Sequence, residues 1–318
     1  MRPAASPLQN VRSERRRREA RDFRWGRSPL DMLKRVALLG HPVEHSRSPA
    51  MHNAAFRELG LDWRYEALDV EPAGFAGVLE SLPGQGFVGA NVTIPHKLRA
   101  LEAADDPTEV ARVVGAANTL SFQGGRVLAD NTDVEGFLTA LRERAPSAPA
   151  GMNALVLGAG GAGRGVVYAL LSAGAARVEV WNRHPERAEA LVSDLVGAAG
   201  KTALQSAVAP STASIDLLVN ATSLGMRHAH ASPVPREGAE FFKAVPLSAD
   251  ELDDRLTVVD LVYRHDRTPL LRAAQARGAR CVDGFDVLVH QGAASFRIWT
   301  GLQAPLGAMR RGATDGAD

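Results

Sequence analysis

An α/β fold in two domains is predicted by three features of this sequence. Short β-type runs alternate with segments of helical spacing along most of the chain. A glycine-rich turn at 158–163 stands between one such strand and one such helix. Ahead of it, residues 35–130 carry a second series of strand and helix signals, interrupted by one hairpin, which predicts a mixed, mostly parallel α/β sheet of its own.

The glycine turn is the most informative stretch. An apolar run at 154–157 enters it, a helical run leaves it, and after Gly174 a β-type run follows at 178–181, so the unit reads as βαβ. Gly158, Gly160 and Gly163, with Ala159, Gly161 and Ala162 between them, fit G-x-G-x-x-G. The first glycine allows the tight turn, the second lets backbone approach a pyrophosphate, and the third lets the helix close on its strand. Unsatisfied N–H groups at the helix start then face the anion. With a strand before and a strand after, this is a Rossmann-type dinucleotide site. An NAD site usually places an acid after the second strand to hold the ribose 2′-hydroxyl. Here the chain reads Asn182-Arg183-His184-Pro185-Glu186-Arg187, and Glu179 lies mid-strand, three residues too early. Arg183 and Arg187 suit a 2′-phosphate, which makes NADP the expected cofactor. Taken alone, Arg187 reads equally well as a solvated residue in the first turn of the helix opened by Pro185.

Composition sets the outer limits. A chain of 318 residues has room for two domains, and 45% apolar with 23% charged residues is ordinary for a soluble globular protein. The single cysteine, Cys281, excludes an internal disulfide and fits a reducing compartment, so a cytoplasmic location is expected. No window approaches the apolar length of a membrane span. Residues 1–31 hold nine Arg and four acids, net +5, so the rest carries 1 − 5 = −4. That mildly acidic remainder offers no nucleic-acid surface. The nine histidines are scattered without metal-ligand spacing, and no metal is expected.

In chain order, residues 1–31 lack hydrophobic periodicity and are expected to form a disordered basic tail without a catalytic role. A strand at 35–40 leads into a loop, and Ser48-Pro49 opens a helix that Gly60 ends, with Ser48 as the expected N-cap. Ser46 and Ser48 put two hydroxyls beside that helix start, where they can hold a carboxylate or serve only as turn and cap. A strand at 64–70, a helix at 72–82 and a strand at 87–92 follow. Asn91 and Thr93 alternate with apolar residues as the last strand ends, and Lys97 enters the next helix. Open α/β sheets bind ligands beyond the carboxyl ends of their strands, and a lysine there can give or take a proton. A lone lysine is more often a solvated charge. Asn118-Thr119 starts a hairpin that turns at Gln123-Gly124-Gly125, and its return strand ends in Asn131-Thr132-Asp133 before a helix at 134–143. Asp133 reads locally as a plain N-cap. Beyond the βαβ unit, a strand at 215–220 ends in a loop with Thr222, and a strand at 257–262, containing Leu261, precedes Tyr263. Gly284 begins a long helix to 300 with an apolar stripe and Gln291 beside it; a buried glutamine needs partners. The tail after Gly307 is expected to fray.

Together these segments resemble shikimate dehydrogenase, the NADP-dependent reductase of 3-dehydroshikimate in chorismate and aromatic amino acid biosynthesis. The resemblance rests on Gly40-His-Pro-Val-Glu-His-Ser46-Arg-Ser48-Pro49 with His52-Asn53, on Asn91-Val-Thr93-Ile-Pro-His-Lys97, and on Gly115-Ala-Ala-Asn118-Thr119. It continues through Asn131-Thr132-Asp133, the glycine turn, Asn182-Arg183, Asn220-Ala-Thr222-Ser-Leu-Gly225-Met226, and Gly284 with Gln291. It implies a catalytic pair, Lys97 and Asp133. It implies a carboxylate site at Ser46, Ser48 and Tyr263, and ring-hydroxyl contacts from Asn91, Thr93, Asn118, Asp133 and Gln291. Cofactor contacts would come from Gly158, Ala159, Gly160, Gly161, Ala162, Gly163, Asn182, Arg183, Arg187, Thr222, Leu261 and Gly284. A substrate-binding domain over 32–132, an NADP domain over 133–283 and a returning C-terminal helix over 284–318 follow, and a homodimer is compatible. This sequence departs from the family pattern at His184, where Thr is usual, at Arg264-His265 in place of Asn-Pro, and at Val134 in place of Gly.

Rival readings are a quinate/shikimate dehydrogenase using NAD, a non-catalytic nucleotide-binding regulator on the same fold, and a folate-type dehydrogenase of related plan. The Ser46/Ser48 pair and the missing acid disfavour the first. Retention of both Lys97 and Asp133 disfavours the second. The third leaves Ser46, Ser48 and Gln291 unexplained.

Overall fold

The computed structural model describes residues 33–145, 149–226, 237–264 and 266–315; the segment 1–31 and His265 lie outside them. Its first six-stranded sheet comprises β1 (Lys34–Gly40), β2 (Trp63–Asp69), β3 (Phe87–Val92), β4 (Asp106–Pro107), β5 (Thr119–Gln123) and β6 (Arg126–Asp130). The strand order is β2-β1-β3-β5-β6-β4. β1 pairs in parallel with β2 and β3, β4 in parallel with β6, and β5 runs antiparallel to β3 and β6. Gly124 and Gly125 turn the β5–β6 hairpin at φ 58° and 77°, the left-handed pair that a tight two-residue turn requires.

Helices α1 (Ser48–Glu58), α2 (Phe75–Ser81), α3 (Lys97–Glu102) and α4 (Glu109–Val114) connect these strands. The helix expected over 72–82 is shorter than the pattern suggests, with a 3-10 turn at each end. Ser48 is not the cap of α1. Arg47 turns helical one residue early, at φ −86° and ψ −9°, and the Ser48 amide donates to Ser46 Oγ at 3.3 Å. The Ser48 hydroxyl is therefore not spent on capping.

The second sheet is wholly parallel and holds β7 (Asn153–Leu157), β8 (Arg177–Trp181), β9 (Ala203–Ser206), β10 (Leu217–Asn220), β11 (Thr257–Asp260) and β12 (Arg280–Val282). Its order, β12-β11-β10-β7-β8-β9, reverses direction between β7 and β10, which opens a crevice at their carboxyl ends. Helix α5 (Thr132–Arg144) links the sheets. The second is then wrapped by α6 (Gly161–Ser172), α7 (Pro185–Leu195), α8 (Glu237–Ala244) and α9 (Pro269–Ala276). Val156, Val167 and Leu170 lose all exposure between β7 and α6, and Leu155 and Leu157 do so on the other face of the sheet. Each such side chain contributes about 1.5–3 kcal/mol by leaving water.

The chain then returns to the first sheet through α10 (Gly284–Thr300). Phe296 stacks on Phe56 of α1 with ring centroids 5.3 Å apart, and Trp299 Nε1 donates to Leu120 O at 2.9 Å. The expected fraying after Gly307 is corrected by α11 (Leu306–Asp315), in which Met309 and Ala313 are fully buried. Leu306, Met309 and Ala313 share one helical face, a signal that the small residues around them weaken. Gly312 lets that face touch α1: a Cβ there would stand 2.7 Å from Ala50 O.

Candidate active site

Lys97 and Asp133 come from different elements, the first residue of α3 and the first turn of α5. Asp133 is not the N-cap its local sequence suggests. Asn131 is, its Oδ1 accepting from the Asp133 backbone amide at 3.2 Å, because the Asn131 side chain is itself anchored by Nδ2 donating to Ala116 O. The Asp133 carboxylate is thus available, and Lys97 Nζ donates to its Oδ2 at 2.6 Å. The side chains are 14% and 21% exposed, which shields the pair yet leaves it reachable. Asp133 Oδ1 accepts from Asn118 Nδ2 at 2.8 Å.

Asn118 opens a continuous polar network. Its Nδ2 lies 3.3 Å from Gln291 Oε1, and its Oδ1 accepts from the Thr132 amide at 2.7 Å. Asn91 Nδ2 donates to Ser295 Oγ at 3.0 Å and Thr119 Oγ1 at 3.1 Å, while Asn91 Oδ1 accepts from Tyr65 Oη at 2.9 Å. Thr119 and Ser295 hydroxyls meet at 2.8 Å, and Ser295 reaches Thr132 at 3.0 Å. Gln291 Nε2 is fixed by Leu288 O at 3.0 Å. Such a network orients every amide beneath the Lys97–Asp133 pair. Thr93 lies just past β3, its amide donating to Leu39 O at 2.9 Å and its side chain half-buried against Gly40. Sequence reading did not single out Tyr65, Thr132 or Ser295. Ser295 stands four residues after Gln291 on one face of α10, which is the signal that could have found it.

At the α1 end, four hydroxyls converge. The Tyr263 side chain pairs with that of Ser46, and the Tyr65 side chain with that of the buried Ser48. Burial pushes both phenols above the usual tyrosine range, so both stay neutral, and the Tyr65 proton is already committed to Asn91 Oδ1. Neutral donors at a helix start fit a carboxylate.

The glycine turn has close backbone approaches that only glycine permits. Gly158 adopts φ 108°, and a Cβ there would stand 3.0 Å from the Ala221 carbonyl and from Thr222 Cγ2. A Cβ on Gly163 would collide with Gly158 O, so α6 closes on its strand as expected. Gly160, the residue before α6, has no side chain to cap it, which leaves amides at the helix start open to an anion. Asn182 Oδ1 receives the Ala159 amide at 3.4 Å, and its Nδ2 donates to His184 O at 2.9 Å, joining the turn to the segment bearing Arg183. Arg183 and Arg187 are exposed; His184 Nδ1 faces Glu186 at 3.8 Å.

Behind the crevice, Thr222 Oγ1 donates to Asn220 Oδ1 at 2.7 Å, and Asn220 Nδ2 to Asp260 Oδ1 at 2.8 Å. Burial pushes the Asp260 carboxyl up to about 6, against hydrogen bonds from Thr268, the Val262 amide and Asn220. Gly284 makes room for backbone: a Cβ there would stand 2.7 Å from the carbonyls of Leu261 and Val262. The unusual Arg264 ties two loops, donating to Gly225 O at 3.2 Å and pairing with Asp266 at 2.7 Å. Val134 is buried in the core between the sheets' helices.

The glycine turn and the Lys97–Asp133 pair are neighbours. Gly161 lies against the Lys97 side chain, and a Cβ on Gly165 would contact Asp133 Cβ at 3.5 Å. An ammonium, a carboxylate and side-chain amides thus lie together beside a helix start that no side chain caps. Such an arrangement can protonate or deprotonate a hydroxyl beside a redox cofactor.

Comparison with known proteins gives three matching family models. Residues 38–120 match the shikimate dehydrogenase substrate binding domain, 141–234 match shikimate / quinate 5-dehydrogenase, and 284–311 match the shikimate 5′-dehydrogenase C-terminal domain. A curated relative from Methanopyrus kandleri, shikimate dehydrogenase (NADP(+)), is 43% identical over 86% of this chain and 93% of its own. The crystal structure of shikimate 5-dehydrogenase from Thermus thermophilus, in complex with NADP(H) and shikimate, is similar at TM-score 0.75 and 41% identity. That match covers 89% of this chain and 99% of the other. Quinate dehydrogenase from Corynebacterium glutamicum in complex with NAD is similar at TM-score 0.75 and 32% identity, over 87% and 97%.

Proposed function

This chain belongs to the shikimate dehydrogenase family, and from that premise we propose that it catalyses the reversible NADPH-dependent reduction of 3-dehydroshikimate to shikimate, a step of chorismate and aromatic amino acid biosynthesis. The observation that carries the reading is the 2.6 Å contact between Lys97 Nζ and Asp133 Oδ2, beside the start of the cofactor helix. The relatives' printed names and the arginines after β8 support NADP.

Bound NADPH supplies the hydride. The amides at the start of α6 would hold its pyrophosphate, and Arg183 and Arg187 would meet the 2′-phosphate. Ser46, Ser48 and Tyr263 bind the substrate carboxylate. Asn91, Thr93, Asn118 and Gln291 bind ring hydroxyls, with their amides already oriented by the network below. Reduction of a ketone leaves an alkoxide that needs a proton and a nearby positive charge. Lys97 Nζ provides both, and takes the proton back in the reverse direction. Asp133 orients Nζ and accepts from the neighbouring substrate hydroxyl.

In this reading residues 32–132 form the substrate domain, 133–283 the NADP domain, and 284–318 the segment that returns to the first sheet. A homodimer, which light scattering would test, and a cytoplasmic location belong to the same reading; among the described residues no helix is long and apolar enough to cross a membrane. Steady-state assays with shikimate and quinate, each against NADP and NAD, test the function. A preference for shikimate with NADP is expected. A preference for quinate with NAD, or no turnover at all, overturns it.

A further inference from the structure

Arg164 is the one charged residue of the cofactor helix, Gly161–Ser172. Arg164 is 14% exposed in its side chain, and its guanidinium makes three distinct contacts. Nε donates to Val114 O at 2.6 Å, at the last residue of α4. Nη1 pairs with Asp194 Oδ2 of α7 at 2.9 Å. Nη2 lies over Gly115, where a Cβ would stand 2.7 Å away. Gly115 holds φ 71°, so it has a second reason to lack a side chain.

What Arg164 grips leads directly to the reacting groups. From Gly115 the chain runs through Ala116 and Ala117 to Asn118, whose amide holds Asp133 Oδ1. The same short segment is pinned at two further points: Ala116 O accepts from Asn131 Nδ2 at 2.9 Å, and the Ala117 amide donates to Lys97 O at 2.9 Å. Arg164 supplies the anchor from the cofactor side. No other long side chain on the first turn of α6 does so, since its neighbours are Gly161, Ala162, Gly163 and Gly165.

We propose that Arg164 is a positioning residue for the reaction, holding the 114–118 turn against the cofactor helix so that Asn118 keeps Asp133, and through it Lys97, in place. The kinetic part of this inference rests on the function proposed above; its structural part does not. An ordinary capping arginine would stabilise α4 and do nothing to the pair. A positioning arginine transmits its loss to Asn118.

Two measurements on Arg164→Gln and Arg164→Lys decide between these. In steady-state shikimate oxidation, Arg164→Gln is expected to lower kcat by about tenfold, the scale of one lost charge-assisted hydrogen bond, with the KM for NADP changed less than about twofold. Arg164→Lys, which keeps the charge facing Asp194 without the guanidinium fork, is expected to recover part of kcat. The second measurement is a double-mutant cycle in thermal stability between Arg164→Gln and Asn118→Ala, which needs no substrate. The two side chains are not in contact, so independent roles predict additive losses, whereas the proposed relay predicts a clear shortfall from additivity. If Arg164→Gln fails to fold, Arg164→Lys takes its place in both measurements. An unchanged kcat in an active enzyme, or an additive cycle, overturns the proposal. A wild-type chain that does not turn over shikimate overturns the proposed function instead, and the stability cycle still decides the role of Arg164.

Discussion

Gly161, the first residue of the cofactor helix, lies directly against the side chain of Lys97: a Cβ placed on it would stand 3.2 Å from Lys97 Cδ and 3.3 Å from Lys97 Cβ. The glycine therefore makes room for the Lys97 side chain as well as forming part of the turn. Gly161→Ala should be tolerated with a small loss of kcat, since the lysine stem can shift by a few tenths of an ångström. Gly161→Val should displace Nζ from Asp133 and lower kcat far more. Equal kinetics for the two variants would contradict this account.

Removing the ammonium itself tests the chemistry. Lys97→Ala should lower kcat by about 10²–10⁴-fold, the range for a lost general acid, with a much smaller change in the KM for shikimate. An unchanged turnover number in steady-state assays would refute the assignment.

Cofactor choice should depend on Arg183. Arg183→Ala is expected to raise the KM for NADP by about tenfold, the loss of one charge-assisted phosphate contact at an exposed position, and to leave the KM for NAD nearly unchanged. A parallel rise for both cofactors would place the arginine elsewhere than at the 2′-phosphate.

The C-terminal helix should matter through its contact with α1. A Cβ on Gly312 would meet Ala50 O at 2.7 Å, Ala54 Cβ at 2.9 Å and Met51 Cα at 3.0 Å, all parts of α1 that cannot swing aside. Gly312→Val should cost about 1–3 kcal/mol of stability by overpacking. It should also raise the KM for shikimate, because α1 begins at Ser48. Gly307→Ala is the control: its nearest neighbour is the far end of Arg311 at 3.5 Å, and helix propensity alone predicts a gain of up to about 1 kcal/mol. Thermal melts of both variants read the difference.

Two buried groups should bend the pH dependence of stability in opposite senses. His52, stacked on Tyr65 with centroids 4.5 Å apart, has its pKa lowered to about 3 by burial. The unfolded chain, with a histidine near ~6.5, takes the proton first, so this contribution is whole above that pH and is lost as pH falls toward 3. Asp260 is raised to about 6 by burial, against ~3.9 unfolded, so the native state takes its proton first. Its contribution is whole below about pH 4 and is lost as pH rises through 6, on the order of 3 kcal/mol. Urea midpoints from pH 4 to 8 should show a flatter acid limb in His52→Phe and a steeper net rise with pH in Asp260→Asn. Curves parallel to wild type would show that neither group titrates this way.

Local signals were enough wherever local sterics decide. The glycine turn and the Gly124-Gly125 hairpin follow from backbone conformations that few residues other than glycine tolerate, and both stand where the sequence puts them. Where several nearby residues could fill one local role, the pattern was ambiguous. Asn131 and Asp133 are both good caps, and the choice was made by Ala116 O, fifteen residues away along the chain. Helix α11 escaped notice because its contact face is built partly of Gly312 and Ala313, which carry little hydrophobic signal.

The sequence by itself determined the fold class and the glycine turn, and it supplied the side chains proposed to react, because these depend on periodicity, on glycine stereochemistry and on residue chemistry. Only the tertiary structure decided that Lys97 and Asp133 touch, that Thr119 and Ser295 join 176 residues apart beneath them, and that the cofactor helix closes against both. Those are distances between elements, and they are set by how sheets and helices bury their apolar faces together, which no short stretch of chain encodes alone.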